Sequence, residues 1–128
     1  MIVLKALTPS LKTNDLKATI DFYVKVLGFV CTAAWPAGEP ASCTLKKEGV
    51  CFNFDTDPNK WYPDPCVSGQ FWIDVEGIEE LHASVADKVT VEWGPEVYHY
   101  GRREFAIKDC NGYLLTFSEA TSDPPTCD

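Results

Sequence analysis

The stretch LKATIDFYVKVLG, residues 16–28, decides how the first half of the chain is organised. Its apolar side chains recur three or four positions apart, at Leu16, Ile20, Tyr23, Val24 and Leu27. That spacing predicts an amphipathic helix with one face in a core. Gly28 stands where a left-handed residue ends a helix, and the Thr-Asn-Asp sequence at 13–15 supplies candidate N-caps.

Strand-like segments lie on both sides of this helix. Residues 3–12 alternate loosely and are predicted to form a strand, in which Pro9 favours an edge position or a bulge. Three further strands are predicted after the helix, at residues 29–35, 42–47 and 50–55. The last two are joined by a tight Glu48-Gly49 turn and form a predicted hairpin.

The second half repeats this order. A strand at 70–75 precedes a helix marked by Ile78, Leu81 and Val85. Three strands follow, at 89–93, 103–108 and 113–119, with a loop at 95–101. Residues 16–29 match 78–91 in type and order, and residues 48–54 match 111–117. The repeat indicates two modules that pair to bury their faces, and chance similarity of two α+β halves is the alternative.

Length and composition narrow the function classes. The 128 residues suit one domain, and 45% apolar with 12% aromatic residues excludes a disordered chain. The net charge of −8 disfavours nucleic acid and anionic membranes as partners. The same charge serves either solubility or the attraction of a cationic ligand.

The cysteine pattern indicates a reducing compartment. No pair of the six has the C-x-x-C spacing of a zinc ribbon or a thioredoxin-like motif. The first ten residues also lack the features of a secretory signal. We therefore predict a cytoplasmic protein with reduced thiols, in which Cys51 and Cys31 act as small core residues.

Two groups of motifs resemble the vicinal-oxygen-chelate (glyoxalase/bleomycin resistance/dioxygenase) superfamily, and within it most closely the bleomycin-resistance branch. The motifs are PSLKTNDL (9–16), DFY (21–23) and VLGF (26–29) in the first half, and YGRREFAIKD (100–109) and Asn111-Gly112 in the second. The resemblance covers about residues 2 to 120. It implies an α+β fold of two βαβββ modules, about 1–57 and 68–120, whose curved mixed sheets surround a shared cleft. It also implies a homodimer, and residues 121–128 are predicted to be a loose tail.

The resemblance also gives the positions at which metal-dependent members hold a divalent ion. These positions fall at Thr8, Asn53, Gln70 and Thr116, and none of them is His, Asp or Glu. A catalytic divalent site needs imidazole and carboxylate donors. No metal, other cofactor or catalytic residue is therefore predicted.

The aromatic residues outside the expected core, with nearby polar residues, are the candidate ligand-binding residues. They are Trp35, Asn53, Asp55, Trp61, Gln70, Trp72, Tyr98, His99, Tyr100 and Thr116. Aromatic walls with a few polar anchors suit a flat, partly cationic ligand, and the acidic residues Asp55, Asp57, Asp64 and Asp74 are expected to attract it. A dimer interface lined by aromatics is the alternative, and both readings are compatible. His99 is a candidate stacking surface or general base, whereas His82 is read as a residue on the flank of the second helix.

The sequence therefore predicts a metal-free protein that sequesters a small molecule. The resemblance suggests an antibiotic-type ligand such as a bleomycin-like glycopeptide, cationic and aromatic. The rival function is a metal-dependent glyoxalase or dioxygenase with non-standard ligands. A third possibility is a regulatory dimer with a vestigial cleft.

Overall fold

Each half of the chain folds as one strand, one helix and three further strands in the computed structural model. The structure describes residues 1–57 and 64–127. The chain divides into two compact units, Met1–Cys66 and Val67–Asp128. This α+β arrangement confirms the predicted pair of βαβββ modules.

The first unit contains one four-stranded mixed sheet. Its elements are β1 (Ser10–Lys12), α1 (Leu16–Asp21) with a π-helical continuation (Phe22–Val26), β2 (Val30–Trp35), β3 (Ser42–Lys47) and β4 (Val50–Asp55). The strand order is β1-β4-β3-β2. The β1 and β4 strands run parallel, and the other neighbours are antiparallel.

The second unit repeats this topology. Its elements are β5 (Gln70–Asp74), α2 (Ile78–Val85), β6 (Val91–Tyr98), β7 (Arg102–Lys108) and β8 (Leu114–Ala120). The strand order is β5-β8-β7-β6, with β5 parallel to β8. Both predicted helices and most predicted strand bounds are confirmed within one or two residues.

Local chemistry explains where the two helices begin. The side chain of Asp15 accepts a hydrogen bond of 2.9 Å from the Ala18 N–H and caps α1. The carboxylate of Glu119 accepts hydrogen bonds from the N–H groups of Gly77 and Ile78, at 2.8 and 3.1 Å, and caps α2. These backbone hydrogen bonds lower the pKa of Glu119.

One face of each sheet packs on its helix and forms the core of that unit. Tyr23 is fully buried in the first unit, and its ring centre lies 5.2 to 5.6 Å from those of Phe29, Phe52 and Phe54. In the second unit, the ring of His82 packs edge-on against Phe105 at 5.1 Å. Strand alternation then directs the intervening residues to the opposite face of each sheet.

Two predicted strand boundaries are wrong. The first strand begins at Ser10 rather than at residue 3. Pro9 lacks an N–H and cannot donate to the ladder, although its carbonyl accepts from Asn53 N–H at 2.9 Å. Conversely, the predicted loop at 95–101 is strand as far as Tyr98. A register shift between Trp93 and Glu96 accommodates Pro95 within β6.

The cysteine and tail predictions have mixed outcomes. No disulfide joins any of the six cysteines, all of which lie among the described residues. The prediction that Cys51 and Cys31 are core residues is wrong, because both are only half-buried. Cys43 is buried instead, since it lies with its strand partner Phe54 on the face of the first sheet that packs on the helix. The described part of the tail, residues 121–127, has no helix or strand, but Thr126 Oγ1 accepts from Val97 N–H at 2.7 Å and anchors this segment to β6.

Candidate functional site

A buried carboxylate, Glu104 on β7, organises the face of the second sheet opposite α2. Glu104 is only 4% exposed. Its Oε2 accepts hydrogen bonds from Trp72 Nε1 at 3.0 Å and from Ser118 Oγ at 2.7 Å. Its Oε1 accepts from the Tyr100 hydroxyl at 2.6 Å. One carboxylate therefore fixes the polar edges of two aromatic side chains that are half exposed, Trp72 at 50% and Tyr100 at 53%.

A guanidinium group lies over the Trp72 ring. The Arg102 Cζ is 4.8 Å from the ring centre, a cation–π distance. Arg102 Nε donates to Ser118 Oγ at 2.6 Å, and its NH2 group donates to Asp74. The indole is thus held at its edge by Glu104 and on its face by Arg102, which leaves a fixed aromatic surface half open to solvent.

Two tyrosines extend this aromatic surface. The rings of Tyr98 and Tyr100 are parallel within 3°, with centres 5.5 Å apart. The hydrogen bond to Glu104 raises the pKa of Tyr100 to about 12, with burial as a smaller cause. Burial raises the pKa of Tyr98. Both hydroxyls therefore stay protonated at neutral pH, and the surface gains no charge from them.

The first sheet carries a small pocket on its face opposite α1. The pocket has a volume of about 190 Å³. Its polar lining includes Ser10, Ser42, Thr44, Asn53 and Asp55, and its aromatic wall is Trp35. Thr44 Oγ1 donates to Asn53 Oδ1 at 2.8 Å.

Two of the acidic residues predicted to attract a cation are already paired. Lys12 is 2% exposed, and its Nζ lies 2.5 Å from Asp55 Oδ1. Asp74 receives the hydrogen bond from Arg102. A carboxylate that already faces a cation contributes little attraction for a second one. Asp57 and Asp64 are exposed.

The structure brings most of the predicted site residues into three groups. Trp35, Asn53 and Asp55 line the pocket of the first sheet. Trp72 and Tyr100 meet at Glu104, with Tyr98 stacked on Tyr100 and exposed His99 against its edge at 5.3 Å. Gln70 accepts a hydrogen bond from Thr116 Oγ1. Trp61 lies outside the described residues.

The positions that hold a metal ion in metal-dependent relatives do not fit one here. Thr8 is exposed and precedes β1, and Asn53 hydrogen bonds to Thr44. Gln70 and Thr116 hydrogen bond to each other. Their donors are neutral oxygens and amides, which suit a catalytic divalent ion poorly. Within residues 1–57 and 64–127, no three His, Cys, Asp or Glu side chains are grouped so as to hold an ion.

Sequence reasoning missed Glu104 as a site residue. In the sequence it stands only as one residue of the closing motif, between Arg103 and Phe105. The usable signal was its place directly before the buried apolar run Phe105, Ala106 and Ile107. Its cross-strand partner Ser118 lies two residues after Thr116 and therefore on the same face.

Comparison with known proteins agrees with this fold. A family model described as the Glyoxalase/Bleomycin resistance protein/Dioxygenase superfamily matches residues 6–117. No curated protein sequence matches the chain significantly. Among the described residues, no helix has the length and apolarity that a membrane crossing requires.

Three solved structures illustrate the similarity. TioX from Micromonospora sp. ML1 has a TM-score of 0.77 at 20% identity, covering 91% of this chain and 98% of its own. TnmS3, an antibiotic binding protein from Streptomyces sp. CB03234, has a TM-score of 0.75 at 18% identity, covering 94% and 99%. The bleomycin-binding protein from bleomycin-producing Streptomyces verticillus, complexed with copper(II)-bleomycin, has a TM-score of 0.68 at 21% identity, covering 96% and 100%. At sequence identities this low, the similarity to these structures shows that the chain shares their fold.

Proposed function

The chain belongs to the glyoxalase/bleomycin resistance protein/dioxygenase superfamily, and on this premise we propose that it binds a small antibiotic-type molecule without making or breaking a bond. The observation that carries the proposal is the aromatic surface formed by Trp72, Tyr98 and Tyr100 and fixed by Glu104. Such a surface offers stacking area and few reactive groups. Of the structural relatives, TnmS3 is described as an antibiotic binding protein and the S. verticillus protein as a bleomycin-binding protein.

The ligand chemistry follows from the electrostatics of this surface. Each stacked ring contributes about 0.5–1.5 kcal/mol beyond its area burial. Asp74 is already paired with Arg102, so a positive charge on the ligand gains mainly from the long-range field of the −8 chain. We therefore propose a flat aromatic ligand, whose cationic groups speed its association more than they tighten its binding.

The contribution of metal ions is part of the same proposal. The four positions of the family's metal site hold no imidazole or carboxylate, and the aromatic surface needs no ion to stack a ring. Binding is therefore metal-independent. Purification followed by elemental analysis tests this, since nickel, zinc, iron or manganese at one ion per chain would favour a metal-dependent lyase or dioxygenase instead.

We also propose that the protein acts as a cytoplasmic homodimer. Exposed apolar residues support association, because the side chains of Ile2, Leu4 and Leu7 are each more than four-fifths exposed. Six cysteines without a disulfide fit a reducing compartment. Light scattering on the eluting protein gives the mass that tests the dimer.

The binding test is a tryptophan fluorescence titration with metal-free bleomycin and then with the copper(II) form. We expect saturable binding near one ligand per chain, which a Trp72→Leu variant weakens by about tenfold to thirtyfold, or about 1.4–2 kcal/mol. Phe22→Leu is the matched control, because Phe22 is a half-buried ring on the helix side of the first sheet. Equal affinities in wild type and Trp72→Leu would contradict the proposed surface, and no binding of either form would exclude this drug as the ligand.

A further inference from the structure

The pocket of the first sheet presents both hydrogen-bond donors and acceptors. One end of the Asn53 amide is taken by Thr44, and its other end has no partner in the part of the chain that the structure describes. Among the described residues, the Ser10 hydroxyl and the second carboxylate oxygen of Asp55 also have no hydrogen-bond partner. A hydroxyl, an amide and a carboxylate oxygen thus line one cavity with groups that can still bond to a ligand.

The pocket is nevertheless close to neutral. The buried Lys12 ammonium lies 2.5 Å from Asp55 and also donates to the carbonyl oxygen of Asp57. A charged ligand would have to compete with this internal pair and lose its own hydration. The arrangement therefore favours a ligand that is polar but uncharged, and whose groups donate and accept at the same time.

An exposed aromatic ring completes one wall. Trp35 is 72% exposed at the edge of the pocket, although it is a large apolar side chain. Its ring offers a flat apolar surface beside polar groups. The cavity of about 190 Å³ equals the liquid volume of about six water molecules, which is room for one substituted six-membered ring.

We propose that this pocket binds the ring of a neutral sugar, either as a free glycoside or as the glycosyl part of a larger molecule. The C–H face of the ring stacks on Trp35, and its hydroxyls bond to Ser10, Asn53 and Asp55. Each sugar hydroxyl both donates and accepts, as the lining requires. This goes beyond the proposed function, because it concerns the other sheet and a different ligand chemistry.

A titration followed by NMR tests the proposal with the full-length chain. The probes are methyl glucopyranoside, methyl mannopyranoside and the cationic glucosamine. We expect saturable shifts at Trp35 and Asn53 with a millimolar Kd for a neutral glycoside, since a ligand this small gains only about 4 kcal/mol. Glucosamine should bind no more tightly than the neutral sugars.

Variants locate the binding. Trp35→Ala and Asn53→Ala should each weaken glycoside binding by about tenfold, because one removes the stacking wall and the other a hydrogen bond. Trp72→Leu is the control and should leave glycoside binding unchanged. Because Trp72→Leu is expected to affect bleomycin binding, failure of the two proposals can be told apart.

A second arm distinguishes the two sources of the sugar. Bleomycin and its deglycosylated form are compared in wild type and Trp35→Ala. If only the glycosylated drug loses affinity in Trp35→Ala, the pocket recognises the sugar as part of a larger molecule. The proposal is overturned if no glycoside gives saturable shifts and removal of the sugars leaves drug affinity unchanged, or if binding persists equally in both pocket variants.

Discussion

Replacing Glu104 with glutamine should loosen the aromatic surface of the second sheet. Glutamine keeps the shape of the side chain but turns one accepting oxygen into an NH2 group. Of the three donors that Glu104 accepts from, Ser118 is fully buried, whereas Trp72 and Tyr100 are half exposed and can turn to water. At least one hydrogen bond to a charged group is lost, which costs about 1.5–3 kcal/mol.

The expected loss of about 2 kcal/mol in the free energy of unfolding corresponds to a fall in Tm of about 8 °C for a domain of this size. Thermal and urea unfolding measure it. Glu92→Gln is the matched control, because Glu92 is exposed on β6 of the same sheet and its carboxylate makes no hydrogen bond with the described residues. We expect the control to stay within about 0.5 kcal/mol of wild type.

The titration of Tyr100 gives a second readout that a general loss of stability would not move. The hydrogen bond to Glu104 raises the Tyr100 pKa from 10.0 to about 12, so in Glu104→Gln the tyrosinate should form at lower pH. The contribution of this hydrogen bond to the free energy of unfolding is fully present below pH 10 and is lost as the pH rises toward 12. Equal stability and an unchanged Tyr100 titration in Glu104→Gln would refute the assigned role of this carboxylate.

Three further predictions test the fold around the two faces. Gly94→Ala should destabilise the chain by about 3 kcal/mol or more in urea unfolding, because φ is +81° and the added Cβ would meet the Glu104 carbonyl oxygen at 2.3 Å. Gly112→Ala is its control: Gly112 has a similar φ of +88° but open space around it, so the substitution should cost only about 1 kcal/mol. Lys12→Met should cost about 3 kcal/mol by leaving Asp55 unpaired, and the added Asp55→Asn should recover part of it in a double-mutant cycle. Thr126→Val should cost about 1 kcal/mol, as measured by urea unfolding, because Val97 N–H loses its acceptor.

Short-range signals account for the parts of the fold that the sequence predicted. Helical spacing after Asp15, glycine at position 28 and the Glu48-Gly49 turn each specify local geometry, and the structure confirms them. The errors came from pairing between strands. Alternation predicts a first strand that runs through Pro9, because alternation alone does not show where a ladder partner is lost. Pro95 predicts an early end to β6, because a proline interrupts a strand unless a bulge accommodates it.

The candidate site was predicted less completely for a related reason. Aromatic residues outside the core can be recognised along the chain, as Trp35 and Trp72 were. Charge pairing depends on register, so nothing in the linear sequence shows that Lys12 faces Asp55 or that Arg102 faces Asp74. For the same reason Glu104 was not connected with Trp72, from which it is 32 residues distant in the chain.

Register also explains why the two modules offer different chemistry on equivalent faces. In the parallel strand pairs, Ser10 is the partner of Asn53 in the first sheet, and Trp72 is the partner of Thr116 in the second. The repeat matches Asn53 with Thr116, so Ser10 and Trp72 occupy equivalent places.

The next pair on the same face of each ladder, two residues further along, also differs between the two sheets. Lys12 faces Asp55 in the first sheet, whereas Asp74 faces Ser118 in the second. The second sheet therefore takes its cation from Arg102 on β7, which places a guanidinium over the indole of Trp72. The first sheet instead pairs Asp55 with the buried ammonium of Lys12, so the polar lining of its pocket consists of neutral groups and the paired Asp55 carboxylate. A duplicated fold has thus acquired one stacking surface and one hydrogen-bonding pocket, so a substitution in either should not reproduce the effect of its counterpart in the other.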